Sequence, residues 1–133
     1  MPAEVHVPII YETDIVTARQ KGRELAAASG FRNTDQTLIA TAISEIARNI
    51  IVYAKQGEVI LETIDSQGRH GILIIAQDEG PGIADLDLVM RDGYSTGKSL
   101  GMGLPGSKRL MDEFELASTL GKGTTVTMKK WVR

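Results

Sequence analysis

The chain has no cysteine, which excludes disulfides and thiolate metal sites and is compatible with a reducing cytoplasm. It has no uninterrupted apolar run approaching the roughly 20 residues that would cross a bilayer. Its opening, Met1-Pro2-Ala3-Glu4, lacks the basic start and apolar core of a signal peptide. A large excess of either charge is missing too. A formal net charge of -2, with acids and bases mixed along the chain, gives no reason to expect nucleic acid or a membrane as partner. There is no internal repeat and no low-complexity tail. What is present is 133 residues, expected to form one domain with enough apolar surface to fold without staples. A cytoplasmic setting is expected, and the oligomeric state is left open.

Glu4 to Tyr11 is β-prone and reads as an edge strand, because Pro8 cannot donate to a ladder. A helix is expected from Asp14 to Ser29, closed by Gly30. A second starts at Asn33, a helix cap with Gln36 as its reciprocal partner, and runs to about Lys55, with Gly57 ending it. Strands Glu58 to Ile64 and Gly71 to Gln77 form a hairpin across the turn Asp65 to His70. From Gly80 to Gly106 the chain is glycine-dense, with one helical interruption at Ala84 to Met90. A helix from Gly106 to Phe114 and strands Glu115 to Ser118 and Thr124 to Val132, joined by Gly121-Lys122-Gly123, complete the order. This order predicts an α/β fold, a two-layer sandwich with helices on one face of a mixed, mostly antiparallel sheet.

The second helix carries only two charges between Thr37 and Ala54, Glu45 and Arg48. Ile39, Ile43, Ile46 and Ile50 share one face and form core. Glu45 and Asn49, one turn apart, point from the opposite side, separated by about 40° around the axis. Their neighbours Thr41 and Val52 are small or apolar, so that face is expected to be covered as well, and a covered Glu and Asn need a polar reason. An amide oxygen suits magnesium, which takes few protein ligands. A carboxylate one turn away could accept a proton from an attacking hydroxyl.

Asp78-Glu79-Gly80-Pro81-Gly82 follows a hydrophobic strand and puts Asp78 at a strand end beside backbone that a flat ligand could approach closely. The same residues would also make a good simple turn. Gly101-Met102-Gly103-Leu104-Pro105-Gly106 has the spacing of a dinucleotide-binding fingerprint, but no strand leads into it and no acidic residue follows about 20 positions on. A glycine-rich turn into a helix still offers free N–H groups to phosphate. Gly93 to Ser99 is one residue too short for a P-loop and also lacks its strand. Its composition suits a mobile lid over phosphates, with Lys98 as a charge contact, although Lys98 alone reads as an ordinary exposed lysine.

Taken in order, Glu45-Ile46-Ala47-Arg48-Asn49, Asp78 to Gly82, Gly101 to Leu104 and Gly121-Lys122-Gly123-Thr124 resemble the asparagine box and the three glycine boxes of the GHKL ATPase and kinase superfamily. The match covers nearly the whole chain. Within it, Thr41 to Asn49 and Arg109-Leu110-Met111-Asp112-Glu113-Phe114 look like the RsbT-type switch kinases of bacterial stress signalling. The anti-sigma-factor kinases are less similar, having a different run between the Glu and the Asn. The resemblance implies a Bergerat fold binding ATP and Mg2+. Asp78 would receive the adenine amino group with support from Thr124, and the Gly80 and Gly82 backbone would line the base. Asn49 would hold the metal and Glu45 would act as base. Gly97, Lys98, Ser99, Leu100, Gly101, Met102, Gly103 and Leu104 would cover the phosphates. It further implies serine or threonine phosphorylation of STAS-domain proteins in a stressosome and, after release, activation of a PP2C-type phosphatase. Arg48 matches the family wording without a derived role.

A histidine-kinase module would need a phosphoacceptor helix, for which neither His6, in a strand, nor His70, in a turn, is placed. Gyrase- and chaperone-type ATPases would need a further domain. The remaining alternatives are a nucleotide-dependent binding switch without catalysis and an anti-sigma factor kinase.

Overall fold

A computed structural model describes residues 4–83, 90 and 103–133. The helix expected at Ala84 to Met90, Met90 apart, and the expected phosphate-covering residues Gly97 to Met102 lie outside the described residues. The elements are β1 (Glu4–Ile9), α1 (Glu12–Ala28), α2 (Asn33–Asn49), a π-helical turn (Ile50–Ala54), β2 (Gly57–Ser66), β3 (Arg69–Asp78), α3 (Gly103–Leu110), β4 (Glu113–Thr119) and β5 (Gly123–Trp131).

The strands form one sheet in the order β1-β2-β3-β5-β4. Every described pair is antiparallel, so the mixed sheet expected from the sequence is wholly antiparallel among the described residues. The register sorts side chains into rows. Val5, Leu61, Ile74, Met128 and Phe114 line up across all five strands, and Val7, Val59, Ala76, Val126 and Leu116 form the next row. Most of these are buried, while their neighbours along each strand face the other way, as the two-residue period of a strand requires.

The helices cover the buried side of the sheet. In α2, Ile39, Ile43 and Ile46 are almost completely removed from water, each contributing about 1.5–3 kcal/mol of burial energy. α1 meets α2 through Ala18, Gly22 and Ala26, a buried stripe at four-residue spacing. Gly22 is required there because a Cβ at this position would lie 2.1 Å from Ile43 Cδ1. Asn33–Ala54 is the one candidate membrane span among the described residues by length and composition, although Asp35, Glu45 and Arg48 interrupt it. Half of its most apolar window is buried inside this fold, and α2 packs on α1, α3 and the sheet.

Several element boundaries differ from the sequence reading for identifiable reasons. α1 begins at Glu12, ahead of Asp14, because the Asp14 carboxylate reaches back to accept the Tyr11 and Ile10 N–H groups at 2.8 and 2.9 Å. Asn33 is the first helical residue of α2 and not its cap. Arg32 takes that position, and the Gln36 amide donates to the Phe31 carbonyl, outside the helix. The β2–β3 hairpin turns on Gln67 and Gly68 alone, both at positive φ (51° and 80°), so its strands are longer than expected. α3 runs from Gly103 to Leu110 and not from Gly106 to Phe114. Pro105 is tolerated in its first turn, where an N–H has no partner to lose, and Phe114 is drawn into β4 opposite Met128.

Candidate functional site

At one end of the sheet the helix-facing rows change character. Beyond Val7, Val59, Ala76, Val126 and Leu116 comes the row Ile9, Gly57, Asp78, Thr124 and Ser118. Three polar side chains on adjacent strands therefore follow directly on a core layer. Asp78 and Thr124 are cross-strand partners, which brings together two residues that the sequence separates by most of its second half.

Ser118, which the sequence reading did not single out, organises this row. Its hydroxyl donates to the Gly123 carbonyl at 3.1 Å and accepts the Ile83 N–H at 2.7 Å. It also lies 3.0 Å from the Thr124 hydroxyl. With the Ser118 proton committed to Gly123, Thr124 is the donor in that contact and keeps its lone pairs for another partner. The signal in the sequence was its mirror position to Thr124 across the Gly121-Lys122-Gly123 turn.

Asp78 ends β3 and turns one carboxylate oxygen inward, where Oδ1 accepts the Gly80 N–H at 2.9 Å. The glycines that follow serve close packing of the protein on itself. A Cβ at Gly80 would lie 2.5 Å from the Ala54 side chain. At Gly82, φ is +78° and a Cβ would lie 2.5 Å from the Thr119 carbonyl oxygen. The loop is further tied to the β4–β5 turn by the Gly121 N–H donating to the Pro81 carbonyl at 2.7 Å. Gly80 stays beside Asp78 and presents only backbone there.

On α2, Glu45 is 6% exposed, whereas Thr41, Asn49 and Val52 are half-buried, so the face expected to be covered is covered at Glu45 and only partly around it. Arg48, one turn on, donates from Nη1 to Glu45 Oε1 at 3.0 Å while its own side chain stays 38% exposed. The residue without a derived role thus neutralises a carboxylate from which water has largely been removed. Asn49 is half-buried at the last position of α2. The helix then widens into the π turn, a rare geometry common at functional sites. That turn packs on β3, and its last residue, Ala54, is the one that seats against Gly80.

A groove of about 520 Å³ opens beside Asp78 and Glu79, between Ile10 and Thr125. A smaller one of about 230 Å³ lies among Asp78, Ser118, Lys122 and Thr124. Neither of these two grooves is lined by Glu45 or Asn49. Of the expected phosphate-facing residues, Gly103 opens α3, while the Leu104 side chain is 5% exposed within the core. Any contact from Leu104 to a nucleotide is therefore through its backbone. Among the described residues no cluster of three His, Cys, Asp or Glu side chains could hold a metal.

Residues 34–132 match the family of histidine kinase-, DNA gyrase B- and HSP90-like ATPases, and the chain belongs to that family. Its domain is an ATP-using one. Within the family the chain belongs with the RsbT-type kinases. It is 54% identical to serine/threonine-protein kinase RsbT of Bacillus subtilis (strain 168) over 127 residues, 96% of each chain. It is 36% identical to an anti-sigma F factor of Thermoanaerobacter sp. (strain X514) over 98 residues, 71% of this chain and 68% of that one. Among solved structures, the RsbU and RsbW domains of Rv1364c from Mycobacterium tuberculosis superimpose with a TM-score of 0.63 at 20% identity. That match covers 98% of this chain and about a third (32%) of the other, and it bears on the fold alone.

Proposed function

We propose that this protein transfers the γ-phosphate of magnesium-bound ATP to a serine or threonine of a STAS-domain protein in a stress-signalling complex. After release it binds and activates a PP2C-type phosphatase, and it works in the cytoplasm. The observation that best supports the nucleotide site is the row Asp78, Thr124 and Ser118 closing the helix-facing side of the sheet beside the end of α2.

In this reading the outward oxygen of Asp78 accepts the adenine amino proton, and the Thr124 lone pairs, freed by its donation to Ser118, face the base. Gly80 and Gly82 lend backbone. Asn49 would hold magnesium, which neutralises phosphate charge and keeps its remaining positions for phosphate oxygens and water. One amide suits such an ion better than a carboxylate cage. The first-turn N–H groups of α3 at Gly103 and Leu104 face the phosphates. Gly97, Lys98, Ser99, Leu100, Gly101 and Met102 complete this cover on sequence grounds. Glu45 takes the proton of the attacking hydroxyl as its oxygen bonds to the γ-phosphorus and ADP leaves, and Arg48 holds that carboxylate in place.

The test is incubation of labelled ATP and candidate STAS proteins with wild type and Glu45→Gln, followed by mapping of phosphoserine and phosphothreonine. The variant should bind ATP almost normally and transfer about 10²- to 10⁴-fold more slowly. Transfer at an unchanged rate would remove Glu45 as base, and no transfer by the wild type would leave a nucleotide-dependent binding switch. A sigma factor as partner is the second reading, favoured by the anti-sigma F factor relative. Co-elution of a sigma factor with the protein and ATP would support it.

A further inference from the structure

The far end of the helix-facing side of the sheet carries a lysine where the pattern calls for an apolar residue. Lys130 lies opposite Ile72, a fully buried residue, and is itself 9% exposed. A buried ammonium is costly without partners. This one donates from Nζ to the Leu110 carbonyl oxygen at 2.8 Å. Leu110 is the last residue of α3, so the charge sits on a terminal carbonyl, where the helix dipole favours a cation. The chain that leaves α3 is fastened to the same strand. The Asp112 N–H donates to the Lys129 carbonyl at 3.0 Å, the Trp131 N–H donates to Asp112 Oδ2 at 2.8 Å, and Arg133 pairs with Asp112 Oδ1. β5 therefore grips the C-terminal end of α3 through Lys130 and the segment beyond it through Asp112.

We propose that Lys130 is a positioning residue for the phosphates of the nucleotide, acting through α3. This rests on the reading that the first turn of α3 faces the phosphates. Eight residues make a helix about 12 Å long, so a tilt of about 5° about the clamped end moves the first turn by about 1 Å. A displacement of that size is enough to weaken oriented contacts markedly. Lys130 thus controls, from the opposite end of the helix, where the Gly103 and Leu104 N–H groups point. β5 carries both this clamp and Thr124, which ties the adenine end and the phosphate end of the site to one strand.

The experiment compares magnesium-ATP and AMP binding by calorimetry in wild type, Lys130→Met and Lys130→Arg, with thermal melts alongside. The wild type should prefer ATP. Lys130→Met should weaken ATP about three- to tenfold and leave AMP within twofold, because AMP lacks the β- and γ-phosphates that α3 would hold. Lys130→Arg, which still donates to a carbonyl, should recover most of the loss. Equal losses for ATP and AMP, or an unchanged ATP affinity in a folded Lys130→Met, would overturn the proposal while leaving the site reading intact. A wild type that binds AMP as tightly as ATP would overturn both. Should Lys130→Met fail to fold, Asp112→Asn loosens the same clamp and should shift the ATP-to-AMP ratio in the same direction. An unshifted ratio there would likewise refute the idea.

Discussion

Replacing Asp78 separates the job its carboxylate performs inside the fold from the adenine contact proposed for it. Oδ1 is used inside the protein by the Gly80 N–H, which leaves the other oxygen for a ligand. A carboxylate only accepts hydrogen bonds at neutral pH, so it can take the adenine amino proton but cannot face the guanine carbonyl at the same ring position. Asp78→Ala removes a hydrogen bond to a charged group, about 1.5–3 kcal/mol, which corresponds to a rise in ATP Kd of about 10- to 150-fold. It also strands the Gly80 N–H. That costs at most about 1 kcal/mol of stability, because Gly80 is only half-buried and water can replace the acceptor. Asp78→Asn keeps an oxygen for Gly80 and so should melt like the wild type. Its amide nitrogen then faces the ligand, where it opposes the adenine amino group and can donate to the guanine carbonyl. The expected result is a wild type that prefers ATP over GTP, an Ala variant weak for both, and an Asn variant with the preference erased. Isothermal titration of both nucleotides against the three proteins, with thermal melts, measures this. A wild type that takes GTP as readily as ATP, or an Ala variant with undiminished ATP affinity, refutes the placement of the adenine.

Gly22→Ala puts a Cβ against the end of the fully buried Ile43 side chain. That end can swing only partly, so chemical denaturation should show a loss of about 1–3 kcal/mol, and an unchanged midpoint would contradict the close helix approach. The Asp112 carboxyl is held below its ordinary pKa: burial pushes it up, but the Trp131 N–H, the Arg133 guanidinium and the Lys130 charge outweigh burial. A lowered folded-state value gives stability that is complete above the unfolded value of about 3.9 and is lost as pH falls through the folded one. Asp112→Asn should therefore flatten acid unfolding in that range, and an unaltered acid limb would show the clamp to be idle. His6 is raised by hydrogen bonds to Glu4 and then Glu58, with charge attraction in the same direction. Its tether of β1 to β2 is present below about pH 6.5 and lost as pH rises through the raised value. Amide exchange in β1 should speed up across that window more in wild type than in His6→Gln, and matching profiles would discount the tether.

The sequence was most informative where pattern and chemistry coincide. The period of Ile39, Ile43 and Ile46 defines the core face of α2, and the shortage of charge around Glu45 already indicated that this carboxylate is covered. Asp78 was legible from its strand end, whereas Thr124 and its nearness to Asp78 came only from the family resemblance, since their pairing depends on β5 inserting between β3 and β4, a long-range pairing with no local signal. Element ends were misjudged where tertiary contacts decide them. Phe114 has apolar company on either side of its boundary, and only its place opposite Met128 makes it a strand residue. The glycines of the Asp78 loop were readable as special positions, yet what crowds them, Ala54 and the Thr119 carbonyl, comes from distant parts of the chain.

The π turn links the end of α2 to the strand end that carries Asp78. Asn49 is the last α-helical residue of α2, and the chain does not leave the helix there but widens for one more turn. An α-helical continuation would place the residue at position 54 elsewhere around the axis. The wider turn instead brings Ala54 to the backbone of Gly80, where a Cβ added to the glycine would collide with it. Gly80 is in turn fixed by its N–H to Asp78. A short path of contacts therefore runs from the end of α2 to the strand-end carboxylate, with little slack at any step. Asn49, for which a magnesium contact is proposed, and Asp78, for which an adenine contact is proposed, are linked by this packing. This ties the geometry of the site to the absence of a side chain at position 80.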